Sequence, residues 1–251
     1  MASDRGPRHA TSTLGGYDRP MIREAATVIV LRPGPAGPEV LLVRRSHKTG
    51  FFPYAWVFPG GAVDPVDATA QARGAVPGLG PEHRAHALAA IRECREETGI
   101  RLGGSEGSPD LSGLRLWSWW LTPEAEPRRY NTLFFAAAVQ AGSEVTLAPQ
   151  ELTDKVWLTA RAALERATDR ADPMFMAPPT FRTLEQLVPF ERVEDVLAAE
   201  RRVTAVCTRL ETGPDGAIEI VLPGDPSYPS HEPVEGPTRI RYAQGRWWSV
   251  T

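Results

Sequence analysis

The chain has 251 residues, which suits one large domain or a domain of about 150 residues with extensions. Apolar residues make up 42%, enough for a sizeable core, and a net charge of −3 with no long basic block gives no reason to expect DNA or RNA wrapping. A small anionic substrate therefore has to be held by local groups. The two cysteines, Cys94 and Cys207, form no disulfide framework at this length, which points to a reducing cytosol. The start of the chain lacks an apolar signal core, and the longest apolar run, residues 133–139, is far too short to span a bilayer. A cytoplasmic protein without membrane contact is the expectation.

Residues 1–22, rich in Gly, Ser, Arg and Pro, read as a mobile tail. Residues 26–31 and 39–44 are short β-branched runs, and the Gly/Pro segment between them predicts a hairpin with a longish connection. Residues 55–58 form a further strand, stopped by Pro59-Gly60-Gly61. Residues 68–81 show little periodicity and read as a loop. A strong helical pattern begins near Pro81, carries Ala87, Leu88, Ala90, Ile91 and Cys94, and ends at Gly99. Strands are predicted over 114–121, 132–139 and 155–158, helices over 160–167, 180–187 and 193–202. Strands return over 203–210, 218–222, 238–242 and 247–250, with a turn at Pro214-Asp215-Gly216. Hairpins with few helices argue α+β with a mixed or antiparallel sheet.

The chemistry concentrates in Arg92-Glu93-Cys94-Arg95-Glu96-Glu97-Thr98-Gly99-Ile100. Glu93 stands at i,i+3 to Glu96 and i,i+4 to Glu97, so one helical face can gather all three carboxylates. Such neighbours repel, and without a cation part of the set is driven towards protonation. A hard divalent ion removes that penalty and uses every oxygen. Arg92, at i−4 from Glu96, is placed to orient a carboxylate. The alternative is a solvated charged face. The strand ending in Gly60-Gly61 ahead of the helix favours a site, since glycines let backbone approach a phosphate or metal closely.

Together these residues resemble the Nudix signature: Gly, five residues, Glu, seven residues, then Arg-Glu-apolar-x-Glu-Glu-x-Gly-apolar. Gly61 matches the leading glycine. Arg92, Glu93, Cys94, Glu96, Glu97, Gly99 and Ile100 match the second half. Cys94 fills an apolar slot and is expected buried and inert. Two departures stand out. Asp67 occupies the first Glu position, and 24 residues rather than seven separate it from Arg92, an insertion placed at about 68–85. Extra length there is thermodynamically mild, because loop-closure entropy grows slowly with length.

The resemblance implies a Nudix α/β/α sandwich over residues 23–175, with a C-terminal α+β extension over 176–251. It implies Mg²⁺ or Mn²⁺ on Glu93, Glu96 and Glu97, with the Gly60 carbonyl and a later acid, Glu151, as further ligands and Asp154 as a weaker one. Glu93, Glu96, Glu97 and Arg92 form the catalytic set. The implied reaction is hydrolysis of a phosphoanhydride in a nucleoside-diphosphate-linked metabolite. The stretch from Leu41-Leu42-Val43-Arg44-Arg45-Ser46 through Phe58-Pro59-Gly60-Gly61 resembles the coenzyme A and acyl-coenzyme A diphosphatase branch; Arg44, Arg45 and Lys48 could bind phosphate there, Gly61 is a further candidate substrate contact, and Arg129, in the loop after the tryptophan strand, could reach a phosphate. Solvated basic residues are the alternative for the arginines. Trp117, Trp119 and Trp120 read as core packing or base stacking. His83 and His86 have no further ligands to make a zinc pair. ADP-ribose or NADH pyrophosphatase activity and a non-catalytic nucleotide-binding role remain the competing functions. The C-terminal segment covers the cleft, extends the sheet or builds a homodimer.

Overall fold

The computed structural model describes residues 22–48, 52–104, 108–169, 171, 173–230 and 232–250. Apart from Ile22, the tail predicted over 1–22 lies outside the described residues. Strand β1 (Ile22–Gly34) pairs with β2 (Gly37–Arg45) as far as Gly34 opposite Gly37. The hairpin thus closes tightly on Pro35 and Ala36, with Gly37 at φ 116°, rather than through the longer connection the Gly/Pro composition predicts. Two short strands follow, β3 (Trp56–Val57) and β4 (Gly60–Ala62).

Helix α1 (Pro65–Thr69) corrects the expected loop at its start, because Asp64 and Asp67 close a reciprocal capping box around Pro65. After an irregular stretch and a 3₁₀ turn (Pro81–His83), α2 (Arg84–Thr98) runs to Gly99, which ends it at φ 71° as predicted. The insertion is therefore absorbed partly by loop and partly by extra N-terminal turns of α2. Its loop is pinned: the Arg73 amide donates to the Pro109 carbonyl at 2.8 Å, and the Arg84 guanidinium donates to the carbonyls of Ala70 (3.0 Å) and Ala72 (3.2 Å).

The remaining elements are β5 (Arg115–Leu121), β6 (Arg129–Ala138), β7 (Leu152–Thr159), α3 (Ala160–Thr168), α4 (Pro178–Leu187) and α5 (Val193–Ala198). Then come β8 (Ala205–Cys207), β9 (Arg209–Thr212), β10 (Ile218–Val221), β11 (Arg239–Ala243) and β12 (Arg246–Val250). Helix α5 stops short of residue 202. Arg201 instead donates to the Trp117 carbonyl at 3.0 Å and lies over the Trp117 ring, a tertiary contact that overrides local helix propensity. The single strand predicted over 203–210 breaks at Thr208, and its halves join different sheets.

The main sheet runs β3-β2-β1-β6-β5-β8, with β4 beside β1 and β7 beside β2. It is mixed: β1 with β6 and β5 with β8 are parallel, the other pairs antiparallel. A smaller antiparallel sheet runs β12-β11-β10-β9. Strand β1 is buried on both faces, which explains its unbroken apolar run. Ala26, Val28 and Val30 pack with Ala87, Ala90 and Cys94 of α2. Ile29 and Leu31 face the opposite layer, built from Phe181 and Leu184 of α4 and Ile220, Ile240 and Trp247 of the small sheet. The result is the expected α+β sandwich of helices on both faces of a mixed sheet. Trp117 is core, as packing predicts, and Cys94 is buried with its thiol pushed up to about 12 by burial.

Candidate functional site

The three glutamates are held on α2 by contacts that converge on two neighbours. The Gly60 amide donates to Glu97 Oε2 at 2.9 Å. Arg92 Nη1 donates to Glu93 Oε1 at 2.8 Å and to Glu96 Oε2 at 3.0 Å. On its other side the same guanidinium grips Asp67, with Nε to Oδ1 at 3.0 Å and Nη2 to Oδ2 at 2.8 Å, and Nη2 also reaches the Ala62 carbonyl at 2.9 Å. Asp67 is only 3% exposed. Asp67 thus acts through Arg92. It ties α1 to α2 across the insertion.

Glu97 is 7% exposed, and its carboxyl is pushed up to about 8. Burial is the main cause, the Gly60 amide opposes it, and Glu93 and Glu151 add repulsion. Glu93 is also raised, by burial first and then, against the pull of Arg92, by Glu96 and Glu151. Glu93 and Glu97 are thus driven towards protonation, with burial as the first cause and the repulsion expected from their spacing adding to it.

These residues open onto a cavity of about 570 Å³. Gly60, Gly61, Arg92, Glu93, Glu96, Glu97, Arg45 and Glu151 all line it, so most of the residues singled out in the sequence meet in one place. Arg45 Nε is buried without a hydrogen-bond partner among the described residues. Arg44 and Arg129 are not brought in. Arg44 is exposed and leans towards the Tyr54 ring, and Arg129 Nε donates to the Thr122 carbonyl at 3.1 Å. Asp154 stands opposite Arg44 on β7, away from the cavity. Among the described residues, none from 68–85 lines it either.

Trp120, Tyr130 and Phe134, read from the sequence as packing or base stacking, line the cavity; sequence reasoning missed Arg23 on the sheet face, and Leu210 and Ile220 from the small sheet. Alternation carried a signal for the first: Arg23, Ala25 and Thr27 share the cavity face of β1, opposite the apolar residues packed on α2. Leu210 and Ile220 carry no local signal, because they arrive from more than a hundred residues away.

The donor set is all oxygen, which suits Mg²⁺ or Mn²⁺ rather than a thiophilic metal. Among the described residues no three His, Cys, Asp or Glu side chains already converge at ligating geometry. A cation would share Glu93 and Glu96 with Arg92 and Glu97 with the Gly60 amide, relieving the repulsion described above.

The two glycines separate fold from site. A Cβ on Gly60 would strike the Ala26 carbonyl and the Thr27 backbone, which cannot yield, whereas the nearest atoms to one on Gly61 belong to the carboxylate end of Glu93. We expect Gly60→Ala to cost about 1–3 kcal/mol by overpacking. Gly61→Ala should leave the melting temperature near wild type while displacing Glu93. Thermal unfolding of both variants checks this; equal melting temperatures would contradict it.

The NUDIX domain model matches residues 21–177. Acyl-coenzyme A diphosphatase NUDT19 of Gallus gallus is 28% identical, the match covering 87% of this chain and 82% of that protein. Putative nudix hydrolase 7 of Caenorhabditis elegans is 26% identical, over 80% and 73% respectively. A NUDIX hydrolase structure from Alicyclobacillus acidocaldarius is 31% identical with a TM-score of 0.64, covering 71% of this chain and 96% of that one. Among the described residues no helix is long and apolar enough to cross a membrane. With the domain match spanning more than half of the chain, and with the glycine turn and carboxylate helix facing one cavity inside it, this chain belongs to the Nudix family.

Proposed function

We propose that this Nudix hydrolase cleaves the diphosphate of coenzyme A or an acyl-coenzyme A, with Mg²⁺ or Mn²⁺ held by Glu93, Glu96, Glu97, Glu151 and the Gly60 carbonyl. The observation that carries the reading is the meeting of four carboxylates, a glycine turn and the half-buried Arg45 in one cavity. The names of the relatives, acyl-coenzyme A diphosphatases among them, support the substrate class.

In the reaction, water adds to one phosphorus and the bridging P–O bond breaks. Its electron pair leaves with the other phosphate, giving two phosphomonoesters. The bound divalent ion would lower the pKa of the attacking water and neutralise charge on the phosphoryl oxygens. The chain's own groups do the rest. Arg92 fixes the Glu93 and Glu96 carboxylates by charge-assisted hydrogen bonds. Glu93, raised by burial, is suited to take up the proton from water. Arg45, whose buried Nε has no hydrogen-bond partner among the described residues, and Arg23 line the cavity and would bind the diphosphate oxygens. The setting is expected to be cytoplasmic.

The test is a substrate panel of coenzyme A, acetyl- and longer acyl-coenzyme A, ADP-ribose and NADH, with Mg²⁺, with Mn²⁺ and with EDTA. Turnover of the coenzyme A species to two phosphomonoesters, abolished by EDTA and restored by added metal, is the expected outcome. Faster turnover of ADP-ribose or NADH would move the assignment to that class. Nucleotide binding indifferent to EDTA, without hydrolysis, would replace an enzyme with a binding module.

A further inference from the structure

Two sheets build the cavity, and they contribute different chemistry. The main sheet and α2 supply the carboxylates, Gly60, Gly61 and the arginines. The small sheet supplies Leu210 on β9 and Ile220 on β10, which stand directly opposite each other in the ladder and so share a face. The start of α4 adds Pro178 and Pro179 to the lining, and β5 adds Trp120.

Ile220 is buried, but Leu210 is 39% exposed, one of six large hydrophobic side chains left so among the described residues. It is the only one of the six that lines this cavity. An open leucine paired with an isoleucine, in a cavity that a proline pair and a tryptophan also line, gives a concave site apolar surface, and such surface gains by being covered. Neither leucine, isoleucine nor proline side chains carry a donor or acceptor for the edges of a base. This surface favours a saturated chain over the polar parts of a nucleotide.

We infer that the wall formed by Leu210, Ile220, Pro178 and Pro179 seats an aliphatic acyl chain attached to the diphosphate substrate, so that the C-terminal sheet sets the chain preference of the enzyme. The inference rests on the diphosphatase reading for its kinetic form. Its binding form is independent of that reading. Each methylene fully covered would strengthen binding by up to about fourfold, so chain length should register strongly before the wall is filled.

The experiment compares coenzyme A with its acetyl, hexanoyl and dodecanoyl thioesters in the wild type and in Leu210→Asp, with Leu210→Thr as a milder β-compatible variant should the charge disturb folding. In the wild type KM should fall along the series. In the variants the ratio of kcat/KM for dodecanoyl over unacylated coenzyme A should drop at least tenfold. An equal change for every chain length would mean that the wall serves the nucleotide, and would overturn the inference. A second readout needs no turnover: binding of the fluorescent fatty acid cis-parinaric acid to the metal-free protein. Binding by the wild type and its loss in the variants supports the inference even if no diphosphate is cleaved. Absence of binding to the wild type, or unchanged binding by the variants, overturns it even if hydrolysis is found.

Discussion

Glu97→Gln is expected to make the metal-free protein more stable above pH 7 while lowering turnover at least about 10²-fold, since Glu97 is proposed above as a metal ligand and loss of one would forfeit several kcal/mol of transition-state stabilisation. The two effects have one cause. Burial raises the Glu97 carboxyl from an ordinary 4.5 to about 8, so the folded chain prefers the protonated form. Between those values the folded state binds more protons than the unfolded state. Its contribution to stability is therefore complete at acidic pH and is lost as pH rises through about 4.5 to 8. Glu93, raised in the same direction, adds to the slope. In full the loss is on the order of a few kcal/mol.

Glutamine keeps an oxygen for the Gly60 amide and removes the charge, so the variant should lose most of this pH dependence. Mg²⁺ or Mn²⁺ should stabilise the wild type more at pH 8 than at pH 5.5, and should do so far less in the variant. Melting curves with and without metal at the two pH values give the measurement. A metal effect of equal size at both, or a variant that melts lower than wild type at pH 8, would contradict the account.

Removing Arg92 should produce the largest loss of stability at a single site. Its guanidinium contacts Asp67, Glu93, Glu96 and the Ala62 carbonyl, with its side chain 20% exposed, and it is held firmly protonated, chiefly by the hydrogen bonds to Asp67. Arg92→Met would strand Asp67, a carboxylate buried in α1 with no second cation in contact among the ion pairs described. Breaking one side of a buried pair costs about 3–5 kcal/mol, or roughly 6–15 °C in melting temperature for a chain of this size. Glu93 and Glu96 would lose their orientation, so activity should fall with stability. Arg92→Lys should recover little, because a point charge cannot reproduce the two-pronged grip on Asp67. A double-mutant cycle with Asp67→Asn should show the pair costing less together than the sum of the single changes. Strict additivity would mean that Asp67 does not act through Arg92.

What was legible in the sequence follows from the range over which each pattern acts. The carboxylate face of α2 depends on spacings of three and four residues, and it forms where predicted, ended by Gly99. The basic pairs show what a residue list misses. Strand neighbours point to opposite faces, so of Arg44 and Arg45 only Arg45 enters the cavity, and beside Arg129 it is Tyr130 that does. On β6 the period of two, with Tyr130, Thr132 and Phe134 on one face, would have chosen correctly, whereas on β2 a register shift between Arg44 and Arg45 interrupts the alternation. The hairpin after β1 closes more tightly than its Gly/Pro count implies, since register rather than composition decides turn length. Helix α5 ends early because Arg201 is claimed by Trp117. The apolar wall was invisible for a different reason: it exists only once a second sheet folds over the first.

The break at Thr208 has a wider bearing. Within three residues, Cys207 to Arg209, the chain leaves the edge of one sheet and founds another. The proposed reacting centre and the surface that would select what reaches it thus stand on separate sheets, linked along the chain at this elbow and packed on one core. Substitutions on β9 and β10 can retune preference among substrates while the carboxylates stay put, which gives a lineage room to change diet without relearning its chemistry.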